Sequence, residues 1–141
     1  MVEYNTQLYT NFIKNVFVGG IFMYKFEKKG NSLVVTVSGF FTPEEAQSYI
    51  ADYEKTLKTL KPEETNLILD GKELKASTQE MLPLLEACMN MYVRDKFKKI
   101  YMVKFASAVT NSQVARLGKA TGLMDNVVMV ESVEDALAQC K

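Results

Sequence analysis

The sequence contains no histidine, and only two cysteines and three prolines among its 141 residues. The absence of histidine removes the usual general base near neutral pH and the commonest metal ligand. Cys88 and Cys140 lie far apart in sequence and show no metal-ligand spacing. We interpret both cysteines as reduced thiols of a cytosolic protein, and we predict no metal site and no cofactor.

An excess of charge of one sign is also missing, because seventeen basic residues balance seventeen acidic ones. That balance argues against nucleic acid as the main partner, although it leaves room for a local basic patch. No apolar run reaches the roughly 18 residues that a membrane span needs. The first residues lack the basic and apolar regions of a secretory signal, so we expect a cytoplasmic protein.

Apolar residues make up 48% of the chain, which is typical of a globular protein with one core. The segments 21–28 and 33–37 predict an antiparallel hairpin around a turn at 29–32. After the hairpin, predicted helices alternate with short apolar strands. The predicted fold is α/β, a mixed and mostly parallel sheet in the order β-β-α-β-α-β-α-β-α.

The predicted helices after the hairpin begin at polar capping patterns. These patterns are Thr42 with Glu45, Ser77 with Glu80, Thr110 with Gln113, and Ser132 with Asp135 in the first turn. Pro83 falls within the first two turns of its helix and removes a backbone donor there. We therefore expect an irregular start between Gln79 and Pro83.

Residues 1–22 are predicted as a separate N-terminal helix or arm in front of the domain at 23–141. Apolar residues recur there at helical spacing before Gly19 and Gly20. They are Leu8, Tyr9, Phe12, Ile13, Val16 and Phe17. Such a face is consistent with a segment docked on the domain, with a homodimer arm, or with a membrane-surface contact that only Lys14 would support. It is also consistent with an upstream extension before a start at Met23.

The stretch 66–80 is predicted as a short buried strand over Asn66–Asp70, a polar loop and a helix start. In open α/β sheets, ligands and partners bind outside the carboxyl ends of the strands. We therefore take the polar residues that follow the strand as candidates for a binding surface. They are Asp70, Lys72, Glu73 and Lys75. A local role for Asp70 is the alternative, because Asp side chains often bond nearby backbone amides in loops.

Four stretches together resemble the STAS domain, the fold of bacterial anti-sigma factor antagonists, and more closely the wider group of uncharacterised antagonist-like proteins. They are Leu67–Asp70 followed by Ser77-Thr78, Lys98–Val103, Gly118–Leu123 and Ser132–Leu137. The resemblance covers about residues 23–141. It implies a non-enzymatic, cytoplasmic, bacterial protein-interaction or regulatory module.

In antagonists, a serine at the start of the second helix is phosphorylated by a partner kinase, which releases the partner. The resemblance makes Ser77 and Thr78 the phosphoacceptor candidates. The family pattern is close to Asp-Ser-Ser-Gly, whereas this chain reads Lys75-Ala76-Ser77-Thr78-Gln79, without the acidic residue and the glycine. The alternative interpretation of Ser77 is a helix cap, which needs a hydroxyl for backbone reasons alone.

Two other functions are weighed against a protein-interaction module. A small carrier or sensor of an apolar ligand fits the methionine-rich pattern Met81, Met89, Met91 and Met102, because methionine lines adaptable apolar pockets. A hydrolase or transferase would need a lysine or carboxylate base for a serine nucleophile, and no such motif is present. The sequence therefore favours a protein that is not an enzyme.

Overall fold

The computed structural model of the protein describes residues 2–3 and 23–140. The strands are β1 (Val2–Glu3), β2 (Met23–Lys29), β3 (Ser32–Gly39), β4 (Asn66–Leu74), β5 (Lys99–Val103) and β6 (Val127–Val130). The helices are α1 (Pro43–Leu57), α2 (Leu82–Arg94), α3 (Ala108–Thr121) and α4 (Val133–Gln139). Short 3-10 turns lie at Pro62–Glu64, Gln79–Met81 and Leu123–Asn126. The helix or arm predicted within residues 1–22 falls outside the described residues, except for β1.

All six strands belong to one sheet whose spatial order follows the chain, from β1 to β6. β2 pairs antiparallel with β1 and with β3. β3 to β6 are parallel to one another. The α/β class, the mixed and mostly parallel sheet, the N-terminal hairpin and the order of elements from β2 onward are therefore confirmed.

The three crossover helices pack on the same face of the sheet. Each crossover moves one strand further in the same direction, and right-handed connections then keep the helices on one side. Tyr53 of α1, Met89 of α2 and Val114 of α3 share one buried cluster with Leu67 of β4. α4 follows β6 and covers the opposite face, where its Ala136 packs in a second cluster.

Five aromatic side chains form a dense group between the sheet and two helices, which we call the aromatic cluster. They are Tyr24, Phe26, Tyr49, Tyr53 and Tyr92. The rings of Phe26 and Tyr49 stack with centroids 5.5 Å apart, and the ring of Tyr53 meets that of Tyr92 edge-on at the same distance. Such pairs contribute about 0.5–1.5 kcal/mol beyond the area they bury.

Two of the predicted helix starts are confirmed and two are wrong. Thr42 and Glu45 form the predicted capping box, and the Ser132 hydroxyl accepts the Asp135 amide. Ser77 and Glu80 do not cap α2, because Pro83 delays its regular start until Leu82, after a 3-10 turn. The expected irregularity between Gln79 and Pro83 is thus confirmed.

The predicted cap at Thr110 is wrong as well, because α3 begins one turn earlier. Ser107 is the N-cap of α3, and its hydroxyl accepts the backbone amide of Thr110. Thr110 is consequently an interior helix residue, only 1% exposed. Its hydroxyl and the side chain of Gln113 are then free to bond outside the helix.

β4 is nine residues long and extends past the predicted end at Asp70. The pairing of β3 with β4 shifts between Thr36, opposite Asp70, and Ser38, opposite Glu73. β4 therefore carries one extra residue at this point, which is a β-bulge. The exposed Lys72 and Glu73 made this part of the strand look like a loop in the sequence.

Candidate binding site at the carboxyl edge of the sheet

The bulge in β4 places Asp70 and Lys72 at the carboxyl edge of the sheet. The Asp70 carboxylate accepts the backbone amide of Lys72 at 3.3 Å, which is the local bond expected of an aspartate in a turn. The carbonyl of Lys72 accepts the amide of Ala106 at 2.9 Å, so this part of β4 is held to the segment after β5. The side chains of Lys72 and Glu73 are exposed.

The segment from Lys75 to Thr78, which we call the binding loop, is anchored before it reaches α2. The amide of Lys75 donates to the carbonyl of Gly39 at 3.1 Å. The buried Thr110 hydroxyl donates to the carbonyl of Leu74 at 3.0 Å. The binding loop is therefore fastened to β3 at its first residue, and the residue just before it is fastened to α3.

The side-chain amide of Gln113 holds the middle of the binding loop by two hydrogen bonds. The backbone amide of Ser77 donates to Gln113 Oε1 at 2.8 Å, and Gln113 Nε2 donates to the carbonyl of Ser77 at 2.8 Å. This pair of bonds satisfies the backbone of Ser77 in the way that a neighbouring strand would. Gln113 was predicted only as part of a helix cap, and nothing local in the sequence points to this long-range contact.

The two phosphoacceptor candidates differ in exposure. Ser77 is half-buried, whereas Thr78 is exposed and precedes the 3-10 turn at Gln79–Met81. Neither hydroxyl caps α2, because the N-cap position of that helix is Met81. The interpretation of Ser77 as a helix cap is therefore wrong.

A groove of about 290 Å³ runs between the binding loop and the segment that leads into α1. Phe40, which is 53% exposed, stands at this groove. The other lining residues are Phe41, Thr42, Pro43, Lys75, Ala76, Ser77, Thr78, Glu80 and Met81. Of the predicted site residues, Lys75, Ser77 and Thr78 line the groove, whereas Asp70, Lys72 and Glu73 do not.

An apolar cavity of about 80 Å³ lies next to the groove, between the sheet and α1 to α3. Phe41 lines both spaces. The other lining residues are Val35, Val37, Ala46, Tyr49, Leu69, Gly71, Leu74, Leu85, Cys88, Met89, Tyr92, Met102, Phe105, Val114 and Leu123. Of the methionines noted in the sequence, Met89 and Met102 line the cavity and Met81 lines the groove.

The polar groups in the cavity wall are neutral at physiological pH. Burial raises the pKa of the Cys88 thiol to about 12. Burial also raises the pKa of Tyr49 and Tyr92, whose hydroxyls are hydrogen-bonded to each other. A protonated thiol is a poor nucleophile, so Cys88 has the environment of a structural cysteine.

The described residues contain no group of three or more His, Cys, Asp or Glu side chains that could hold a metal ion. Cys88 and Cys140, the cysteines predicted to be reduced, are both free thiols. Within the same part of the chain, no helix is both long and apolar enough to cross a membrane.

Comparison with known proteins finds relatives in structure only. No family model and no curated protein matches the sequence. An anti-sigma factor antagonist from Mycobacterium paratuberculosis superposes with a TM-score of 0.54 and 17% identity. An uncharacterised protein of the DUF3478 family from Shewanella loihica, described as having a SpoIIAA-like fold, superposes with a TM-score of 0.60 and 16% identity.

Both superpositions extend over most of each molecule. They cover 84% of this chain and 92% of each matched chain. At these identities the likeness concerns the fold. The resemblance to the STAS domain predicted from the sequence is thus confirmed at that level, because the chain shares its fold with an anti-sigma factor antagonist and with a protein described as having a SpoIIAA-like fold.

Proposed function

We propose that this chain is a non-enzymatic protein-interaction or regulatory module that binds a protein partner at the groove beside the binding loop. The observation that carries the proposal is the large exposed surface of Phe40 at the mouth of this groove. Exposed aromatic side chains beside a concave surface are typical of interface hot spots. One of the proteins that share the fold is described as an anti-sigma factor antagonist.

The fixed backbone of the binding loop supports the same proposal. Its backbone is fixed at Lys75 by Gly39 and at Ser77 by Gln113. A preformed surface loses less conformational entropy when a partner binds, so more of the contact energy contributes to affinity. The groove thus combines an apolar anchor with a rigid polar wall.

The absence of an enzyme activity is part of this proposal, and the ionisation of the buried groups supports it. The pKa values that depart from their ordinary range belong to Cys88, Arg94 and four tyrosines, and all are raised. An activated nucleophile would have a lowered pKa or a partner base. Of the hydroxyls that line the groove, that of Thr42 is bonded to the Glu45 carboxylate at 2.9 Å, and this pair forms the capping box at the start of α1.

Regulation by phosphorylation at Thr78 or Ser77 is a further part of the proposal. Thr78 is the more accessible hydroxyl, because it is exposed while Ser77 is half-buried. A phosphoryl group would add up to about two negative charges to the wall of the groove. Glu80 lines the same groove, so an acidic partner would be repelled more strongly after modification.

Site-specific photo-crosslinking from position 40 in cells tests the proposed surface. The expected result is one dominant crosslinked protein, whose affinity for the purified chain falls at least tenfold in Phe40→Asp. Val109→Asp is the matched control, because Val109 is also exposed, at 59%, but does not line the groove. Equal loss of affinity in both variants, or no loss in either, would contradict binding at the groove.

Mass spectrometry of the chain, expressed together with its genome neighbours, tests the switch. We expect phosphate on Thr78 or Ser77, and weaker partner binding by Thr78→Glu than by Thr78→Gln. Unmodified hydroxyls under all conditions tested, with full binding by both variants, would rule out the switch and leave the interaction surface intact.

A carrier or sensor of a small apolar ligand is the second candidate function, and the apolar cavity favours it. An apolar cavity of about 150 Å³ stays dry and binds benzene, and ordinary ligand pockets measure about 300–1,000 Å³. The cavity here, at about 80 Å³, has room for a group of only a few carbon atoms. The ligand of such a carrier would insert an alkyl end past Phe41.

A variant with a filled cavity distinguishes the carrier function from the protein-interaction function. Ala46→Leu places a larger side chain in the cavity wall, and Ala115→Leu makes the same change on an exposed helix surface. If the cavity binds ligand, native mass spectrometry and NMR titration with short-chain alcohols should show binding that Ala46→Leu alone abolishes. Absence of any bound apolar molecule would exclude the carrier function.

A further inference from the structure

The charges of this neutral chain are divided between the two edges of the sheet. The segments at the amino ends of the parallel strands comprise residues 28–31, 58–65, 94–99 and 123–126. They contain eight basic and four acidic residues, a net charge of +4. The segments at the carboxyl ends comprise residues 40–45, 70–80, 104–107 and 131–135. They contain three basic and eight acidic residues, a net charge of −5.

Six lysines at the amino edge are exposed, and we call them the basic edge. They are Lys29, Lys58, Lys61, Lys96, Lys98 and Lys99. Among the ion pairs within the described residues, only one involves this set, a 3.8 Å contact between Lys61 and Glu64. Arg94 differs from these lysines, because its guanidinium is occupied by Glu54 at 2.6 Å and Asp95 at 2.8 Å.

Backbone hydrogen bonds hold the segments of the basic edge side by side. The amide of Lys98 donates to the carbonyls of Pro62 and Thr65, at 3.1 and 3.0 Å. Lys28 Nζ reaches the carbonyl of Thr59 at 2.9 Å, which joins the hairpin to the segment after α1. The segments that carry the lysines therefore meet at one edge of the sheet.

The backbone conformation of Lys96 gives a second and independent indication that the charge on this edge has a function. Its φ angle is +52°, the left-handed region that favours glycine, and it is the one such non-glycine residue in the described chain. Any side chain strains the backbone there, because its Cβ approaches the following carbonyl oxygen. The turn between α2 and β5 thus places an exposed cation at a position where glycine would be more stable.

We propose that the basic edge binds an anionic lipid surface and orients the groove on the opposite edge away from the membrane. Lysine is a hydrated point charge on a flexible stem, which suits the diffuse negative potential of lipid headgroups. Recognition of single-stranded nucleic acid would require exposed aromatic side chains for base stacking. The aromatic residue of this edge, Phe97, is only 9% exposed. This inference does not depend on the proposed partner site.

Co-sedimentation of the full chain with vesicles tests the basic edge. Vesicles containing phosphatidylglycerol should pellet the protein at low salt, whereas pure phosphatidylcholine vesicles should not. Each lysine near an anionic surface strengthens binding about fivefold, so Lys96→Glu/Lys98→Glu should bind about 25-fold more weakly or worse. Raised salt should release the wild-type protein, because charges farther apart than about 8–10 Å are screened.

Lys72→Glu/Lys104→Glu is the matched control, since it makes the same change in net charge on exposed residues of the carboxyl edge. This variant should retain most of the binding. Equal loss in the two variants would show that net charge alone matters and would overturn the proposal. Failure to bind anionic vesicles, or tighter binding to duplex DNA or RNA than to the vesicles, would overturn it as well.

Discussion

The aromatic cluster and the apolar cavity lie on the same face of one sheet and share Tyr49 and Tyr92, yet they are packed differently. In the cluster, rigid rings meet at centroid distances of 5.3–6.5 Å. Tyr53 also donates a hydrogen bond to Asp95 at 2.8 Å. Around the cavity, branched and flexible side chains leave a space of about 80 Å³ unfilled. One continuous core thus provides a rigid base and, a few residues away, room for adjustment beside the groove.

The largest contrast should come from truncating one side chain in each region. Tyr53→Ala removes a ring that is 0% exposed, and should lower the free energy of unfolding by about 3–5 kcal/mol. Leu85→Ala, in the cavity wall, should cost only about 1–2 kcal/mol, because Leu85 is half-buried and already borders empty space. Urea denaturation measures both values, and similar losses would remove the distinction.

Replacing a glycine by alanine should destabilise the fold more where the surroundings are tightly packed than beside the cavity. A Cβ at Gly118 would lie 2.5 Å from Met124 Cγ, so Gly118→Ala should destabilise the fold by about 1–3 kcal/mol. A Cβ at Gly71 would lie 2.9 Å from Phe105 Cε1, but Phe105 lines the cavity and its ring has space to move. Gly71→Ala should therefore cost less than Gly118→Ala in thermal unfolding, and the reverse order would contradict the adjustable cavity wall.

Alkaline pH should lower the free energy of unfolding through Cys88, whose thiol lies near both regions. The pKa of Cys88 is about 12 in the folded state and 9.0 in its unperturbed state, so the unfolded chain loses this proton first. The contribution is fully present below pH 9 and is lost as pH rises from 9 to 12, by about 1.4 kcal/mol per pH unit. Cys88→Ala should flatten the fall in stability between pH 9 and 10 relative to wild type. An unchanged slope would show that the thiol is accessible to solvent.

The smallest expected effect on stability concerns the clamp on the binding loop. Gln113→Ala removes two hydrogen bonds and should cost about 1–2 kcal/mol, with faster hydrogen exchange confined to the amides near Ser77. Gln113→Glu keeps the acceptor and regains a donor only when protonated, so the protection factor of the amides near Ser77, corrected for the intrinsic pH dependence of exchange, should rise as pH falls. If this protection factor does not change with pH, the side chain does not act as a two-sided clamp.

The order of elements was predictable because it depends on local patterns. The β-branched run at 33–37 and the capping box at Thr42 give strong signals that tertiary contacts do not override. The end of β4 was not predictable, because the bulge exposes Lys72 and Glu73 while the backbone stays paired with β3. Polarity is a poor guide to a strand edge when the side chains face solvent.

The candidate site was predictable in location and only partly in composition. The strand-end rule placed it near Lys75, Ser77 and Thr78, and these residues do line the groove. Phe40 follows a different strand, and Gln113 bonds Ser77 across 36 positions, so neither has a local signal. The cavity exists because the side chains do not fill all the space between the sheet and the helices. The volume left over cannot be calculated from residue types alone.

The agreement between strand order and chain order has a consequence for synthesis on the ribosome. Each strand pairs with the strand made just before it, so the sheet can grow at one edge without waiting for a distant segment. The hairpin forms first, and each later strand and helix adds one layer. The Gln113 clamp closes only after α3 has emerged, so a nascent chain completes most of its sheet before its binding loop acquires a fixed shape.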